Sequence, residues 1–83
     1  LLRIPAAHRS RINACDFSRD GVRLYSAGHD AFVRVWCAIS GELLAEFPLR
    51  APALCLRALH ANTLGIFAVG DAHGNIELFR HLV

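Results

Sequence analysis

An all-β fold of short antiparallel strands is predicted by three observations. Eight short apolar runs alternate with turn clusters along the 83 residues, and no ten-residue stretch carries clean helical periodicity. The connections are too short for the helical crossover that parallel strands need. Shifted by 43 residues, the sequence overlays on itself: Leu1 falls on Leu44, Ile4 on Phe47, Pro5 on Pro48, Val33 on Ile76, Val35 on Leu78 and Trp36 on Phe79. A repeat of this length with four strands per unit is the mark of β-propeller blades.

Taken in order, Leu1–Ile4 is a short apolar segment stopped by Pro5. Ile12–Phe17 leads into Ser18-Arg19-Asp20-Gly21, a turn in which Gly supplies the positive-φ position. Val22–Ala27 is the next extended run and Gly28-His29-Asp30-Ala31 the next turn. Phe32-Val33-Arg34-Val35-Trp36 has a β-branched and aromatic composition that suits a strand, with Arg34 set between apolar neighbours. Ser40-Gly41 turns the chain into Glu42–Phe47, which Pro48 ends as Pro5 ended the first run. Leu54–Leu59 is apolar, Ala61-Asn62-Thr63 a break, and Leu64–Val69 a run of buried type. Gly70–Asn75 is a turn cluster, and Ile76-Glu77-Leu78-Phe79 alternates and closes the pattern.

Ala7-His8, Phe17–Gly21, Ser26–Asp30 and Val35-Trp36 resemble, without a gap, the GH…FSPDG…SGSxD…VW pattern of the WD40 repeat family. The resemblance implies a WD40-type β-propeller fragment of about two four-stranded antiparallel blades in d-a-b-c order. The first strand of each unit would then be the outer strand of the preceding blade. Two repeats follow, 1–40 and 41–83. The second departs from the pattern, with Arg50-Ala51 in place of Gly-His, His73 in place of the turn Asp and Phe79 in place of Trp. Its polar network should therefore be missing. The register between Leu54 and Leu64 is open by one residue.

Composition narrows the function classes. With 54% apolar and 19% charged residues the chain can bury a core and is not of a disordered type. No apolar run approaches the ~20 residues that span a bilayer, so no membrane partner is expected. A signal peptide's basic-then-apolar order is lacking, and a chain opening at Leu1 reads as part of something longer. All nine basic residues are Arg, scattered rather than striped, so nucleic acid is not the expected partner. Cys15, Cys37 and Cys55 are odd in number, widely spaced and without a CxxC pair. They suggest neither a zinc site nor a disulfide framework, and they fit reduced thiols in an intracellular compartment, with the cytoplasm expected.

Three constellations could carry chemistry. Ser26, His8 and Asp30 could on paper form a hydrolytic triad, but no nucleophile elbow surrounds Ser26, which lies inside a predicted strand. The WD40 resemblance implies instead a structural tetrad of His8, Ser26, Asp30 and Trp36, running from the Trp N–H through the Ser hydroxyl and His ring to the carboxylate. Gly70-Asp71-Ala72-His73-Gly74-Asn75 after a hydrophobic run resembles the first metal-binding motif of calcineurin-like metallophosphatases, in which Asp71 and His73 would be ligands. Two ligands are not a site, and only nine residues follow Gly74 to supply the rest. No metal or cofactor is therefore expected. Arg9, Arg11, Asn13 and His29 lie on or beside the loops where WD40 propellers often receive partners, and Arg recognises carboxylates with a planar fork. The reading is a non-catalytic scaffold for protein–protein interaction, completed by further blades. A metallophosphatase fragment and an RNA-binding propeller are the alternatives.

Overall fold

The computed structural model describes residues 3–59 and 65–81. Seven strands form: β1 (Ile12–Phe17), β2 (Arg23–Gly28), β3 (Phe32–Cys37), β4 (Leu43–Pro48), β5 (Ala53–Ala58), β6 (Ile66–Asp71) and β7 (Ile76–Arg80). They make two antiparallel meanders, a four-stranded sheet in the order β1-β2-β3-β4 and a three-stranded sheet in the order β5-β6-β7. Leu43–Pro48 opens the second sequence repeat yet pairs with β3, so each repeat straddles two sheets, as the d-a-b-c order requires.

Turn chemistry sets the hairpins. At the first one Ser18 N–H donates to Arg23 O and Gly21 N–H to Ser18 O, with Gly21 at φ 74°. Asp20 Oδ1 accepts from Val22 N, which holds Val22 in the turn and starts β2 one residue later than its apolar character suggests. The expected outer strand at Leu1–Ile4 is not formed over Arg3 and Ile4; Leu1 and Leu2 lie outside the described residues. An outer strand needs an inner neighbour to pair with, and the described residues supply none for Arg3 and Ile4. Ile4 instead lines an apolar cleft on the outer face of the first sheet.

The repeat is 43 residues for the second and third strands of each sheet and 41 for the first. Leu24 and Phe67 are equivalent, and so are Phe17 and Ala58. The two extra residues fall between β5 and β6, where the register was open. Ala61-Asn62-Thr63 and Leu64 lie outside the described residues.

The core is the seam between the sheets. Tyr25, Ala27, Val33 and Val35 of the first face Ala53, Leu56, Phe67 and Val69 of the second. The rings of Tyr25 and Phe67 stack at 4.4 Å, and Phe79 lies 5.4 Å from Phe67 and 5.0 Å from Phe47. Side chains of β1 fasten β5 at both ends: Asn13 Nδ2 donates to Ala53 O at 2.7 Å, and Asp16 Oδ2 accepts from Ala58 N at 2.8 Å. Arg23 Nη1 crosses the same seam to donate to His81 O at 2.8 Å.

Candidate functional site

His8, in the loop before β1, is brought together with Ser26 on β2, Asp30 in the β2–β3 turn and Trp36 on β3. Trp36 Nε1–H donates to Ser26 Oγ at 2.8 Å, and Ser26 Oγ lies 2.7 Å from His8 Nε2. His8 Nδ1 faces the Asp30 carboxylate at 3.1 and 3.3 Å. His8 thus bridges Ser26 through Nε2 and Asp30 through Nδ1, the tautomer deciding which ring nitrogen donates. Every polar atom of the chain of four then has a partner, which a buried network needs.

Two members of the assembly were not evident in the sequence. Arg34 is buried and lies against the same edge, with Nη1 2.8 Å from His8 Nδ1 and donating to Asp30 Oδ2 at 3.0 Å. Its Nε donates to Glu46 Oε2 at 3.1 Å, which ties the network to β4, and its guanidinium sits over the Phe32 ring. The signal was present: Arg34 is two residues before Trp36, so it shares the face of β3 that carries the indole. Gly28 is the other. A Cβ there would stand 2.8 Å from His8 Nδ1 and 3.1 Å from Asp30 Oδ1, so the close approach of ring and carboxylate needs glycine. The left-handed turn position belongs instead to Ala31, at φ 63°.

Asp30 also accepts from Arg9 N at 3.0 Å and Phe32 N at 3.2 Å. Burial works against its charge, but the Arg9 N–H, the His8 ring and Arg34 outweigh burial and hold the carboxyl far below the usual carboxylate range.

In the second sheet the positions of Ser26 and Trp36 fall to Val69 and Phe79, both apolar and packed in the seam. With no indole N–H to satisfy, no hydroxyl is needed. Asp71 does a local job: Oδ1 accepts from His73 N at 2.9 Å and Asn75 N at 3.0 Å, and Oδ2 accepts from Asn75 Nδ2 at 3.1 Å. The Asn75 N–H lowers its pKa, burial opposes, and the other contacts add to the lowering. Asp71 is thus the cap of its own β6–β7 turn. His73 is exposed beside it. β6 and β7 pair antiparallel in a sheet that no helix covers among the described residues, unlike the helix-flanked sheet of the metallophosphatases.

Of the four residues placed on partner-binding loops, Arg9, Arg11 and His29 are exposed at the end of the molecule beside Asp30. Their backbone is held, with His29 N–H donating to Arg11 O at 2.9 Å. Asn13 is a correction: its amide is engaged by Ala53 O across the seam, because its place at the start of β1 faces the neighbouring sheet.

Residues 1–37 match the family model described as WD domain, G-beta repeat. The chain is 30% identical over 74 residues to Eukaryotic translation initiation factor 3 subunit I of Emericella nidulans, a match covering 89% of this chain and 22% of that protein. Two solved structures, titled "Structure of U3-55K" and "Crystal structure of RRP9 WD40 repeats", each superpose with a TM-score of 0.85 at 21% identity, over 94% of this chain and 25% of theirs. The chain therefore spans about a quarter or less of the proteins it resembles. Residues 1–37 thus match a WD40 repeat, and the two meander sheets share the fold of the solved WD40 repeats.

Proposed function

We propose that this segment is a non-catalytic scaffold within a larger propeller, and that the His8–Ser26–Asp30–Trp36 tetrad, extended by Arg34, shapes its loops for partner proteins. The observation that carries this reading is how Ser26, the nucleophile of the candidate triad, is used. Ser26 is buried, with its oxygen held between the indole N–H and the imidazole, so it is built into the packing of the sheet rather than exposed as a nucleophile. The network instead holds Arg9 N and Phe32 N to one carboxylate, that of Asp30, next to His29 in the turn. The relative from Emericella nidulans is by its name a subunit of a larger factor, which fits a role in assembly. Three free cysteines support an intracellular setting. No described helix is long and apolar enough to cross a membrane.

The test places a photo-crosslinking side chain at position 29, or at position 20 on the opposite end, in the intact protein. A discrete partner adduct at 29 and not at 20 is expected. Adducts at 20 alone, or a hydrolytic activity abolished by Ser26→Ala, would refute the reading.

A further inference from the structure

The end of the molecule that carries the segment before β1, the two outer turns β2–β3 and β6–β7, and the β4–β5 connection has an unbalanced charge. Arg9, Arg11 and Arg50 are exposed there together with His29 and His73. Backbone hydrogen bonds hold these loops together. His29 N–H donates to Arg11 O at 2.9 Å, Leu49 N–H to Ala31 O at 2.7 Å and Ala72 N–H to Pro52 O at 2.9 Å.

The acids of the same loops are Asp30 and Asp71 alone, and both are committed to the fold. Asp30 is shared by His8, Arg9 N, Phe32 N and Arg34, and Asp71 by the N–H groups of its own turn. The nearby Glu46 is held by Arg34. Among the described residues no carboxylate pairs with the side chains of Arg9, Arg11 or Arg50, whereas Arg34 has two such partners. The opposite end differs, for exposed Asp20 and Glu42 there accompany Arg19 and Arg80.

We infer that this end binds an acidic, extended segment of a partner protein, with Arg9, Arg11 and Arg50 as its carboxylate receptors. The inference rests on the scaffold reading and names its partner's chemistry. A planar guanidinium takes a carboxylate through two parallel N–H donors, and three of them on backbone-tethered loops lose little freedom on binding. A single-stranded nucleic acid fits less well. Its bases need aromatic platforms, and no Phe, Tyr or Trp is exposed among the described loop residues of this end. The charge is also a cluster of three rather than a stripe along a backbone path.

The experiment measures fluorescence anisotropy of a labelled peptide of alternating Asp and Glu against the intact protein, beside a Gly-Ser peptide and a single-stranded uridine RNA of equal length. Variant Arg9→Glu/Arg11→Glu/Arg50→Glu should bind the acidic peptide about tenfold more weakly or worse, and Arg19→Glu/Arg80→Glu should bind as wild type. Added salt should weaken the wild-type complex. Should the reversed variant melt lower than wild type, Arg9→Gln/Arg11→Gln/Arg50→Gln takes its place, with the same loss expected. Three results would overturn the inference: no binding of the acidic peptide, binding unchanged in the top-end variants, or RNA bound more tightly than peptide through the same arginines. Failure of peptide binding with the position-29 adduct intact would reject the acidic chemistry alone. Loss of the adduct as well would reject the scaffold reading with it.

Discussion

Asp30 holds more of the structure than any other single side chain described, since a ring, a guanidinium and two backbone N–H groups share its two oxygens. Asp30→Ala takes the carboxylate away from the buried His8 ring and Arg34 guanidinium. It should cost about 2–4 kcal/mol in the intact propeller. Asp71→Ala should cost less, because the donors it frees, His73 N and Asn75 N, lie in a turn that water reaches. The denaturant midpoint at constant slope checks the order, and equal losses would argue against the tetrad as the dominant network.

Acid should act through His81 and through the carboxylates whose folded pKa is depressed, Asp30 foremost and Asp71 with it. The folded pKa of Asp30 is depressed, so its stabilisation is complete above the unfolded carboxylate value of about 3.9 and is lost as pH falls below it. His81 is also depressed, chiefly by burial and then by the Arg23 charge, so the folded state disfavours its protonated form. Its contribution is present above the ordinary value of 6.5 and is lost as pH falls through that region. Thermal melts from pH 8 downward should therefore decline first below about 6.5 and again below about 4. His81→Gln should flatten the first step and Asp30→Asn the second. A first step that survives His81→Gln would assign it to another group.

At the scale of elements, β1 is the strand that joins the sheets. Asn13 and Asp16 reach the first and last residues of β5, so its register against the neighbouring sheet is pinned at both ends. Asn13→Ala should cost about 1 kcal/mol, and Asp16→Ala a similar amount. The two bonds lie at opposite ends of one strand, so in the double variant their losses should sum to within about 0.5 kcal/mol. A double-mutant cycle measures this, and strong coupling would mean that the sheets shift as one body when either bond is lost. Neither bond was legible beforehand. Asn13 sits 40 residues from Ala53 and Asp16 42 from Ala58, and which side chain faces the next sheet depends on how the two sheets are rotated. The hairpins were legible, because Asp-Gly and Gly-rich turns act within a few residues.

At the scale of the whole molecule, two surfaces stand open. The first sheet's outer face carries a cleft of about 290 Å³ lined by Ile4, Ile12, Phe17, Leu24 and Trp36 among others. The second sheet ends at β7, whose free edge carries Ile76 at 79% exposure and Leu78 at 73%. Apolar faces and unpaired edges of this kind drive association. A polypeptide of these 83 residues alone should therefore self-associate, or lose structure at low denaturant without a sharp transition. Sedimentation velocity and calorimetry decide this, and a monodisperse 9.1 kDa species with a cooperative melt would refute it.

The WD40 resemblance implied the tetrad's membership, and the sequence alone determined seven strands, their antiparallel order and the repeat. Each is written in a local alternation, a turn residue or a spacing within one repeat. Tertiary structure decided the rest: Gly28 as the gap that admits ring and carboxylate, Arg34 as their partner, and Asn13 as a bond across the seam. These depend on which atoms from distant stretches come within 3 Å or so, and composition does not encode that distance. The second repeat shows the division most plainly. Its lost Trp was read directly, the loss of the Ser was not, and only the packing of Val69 and Phe79 in the seam shows why neither polar group is needed there.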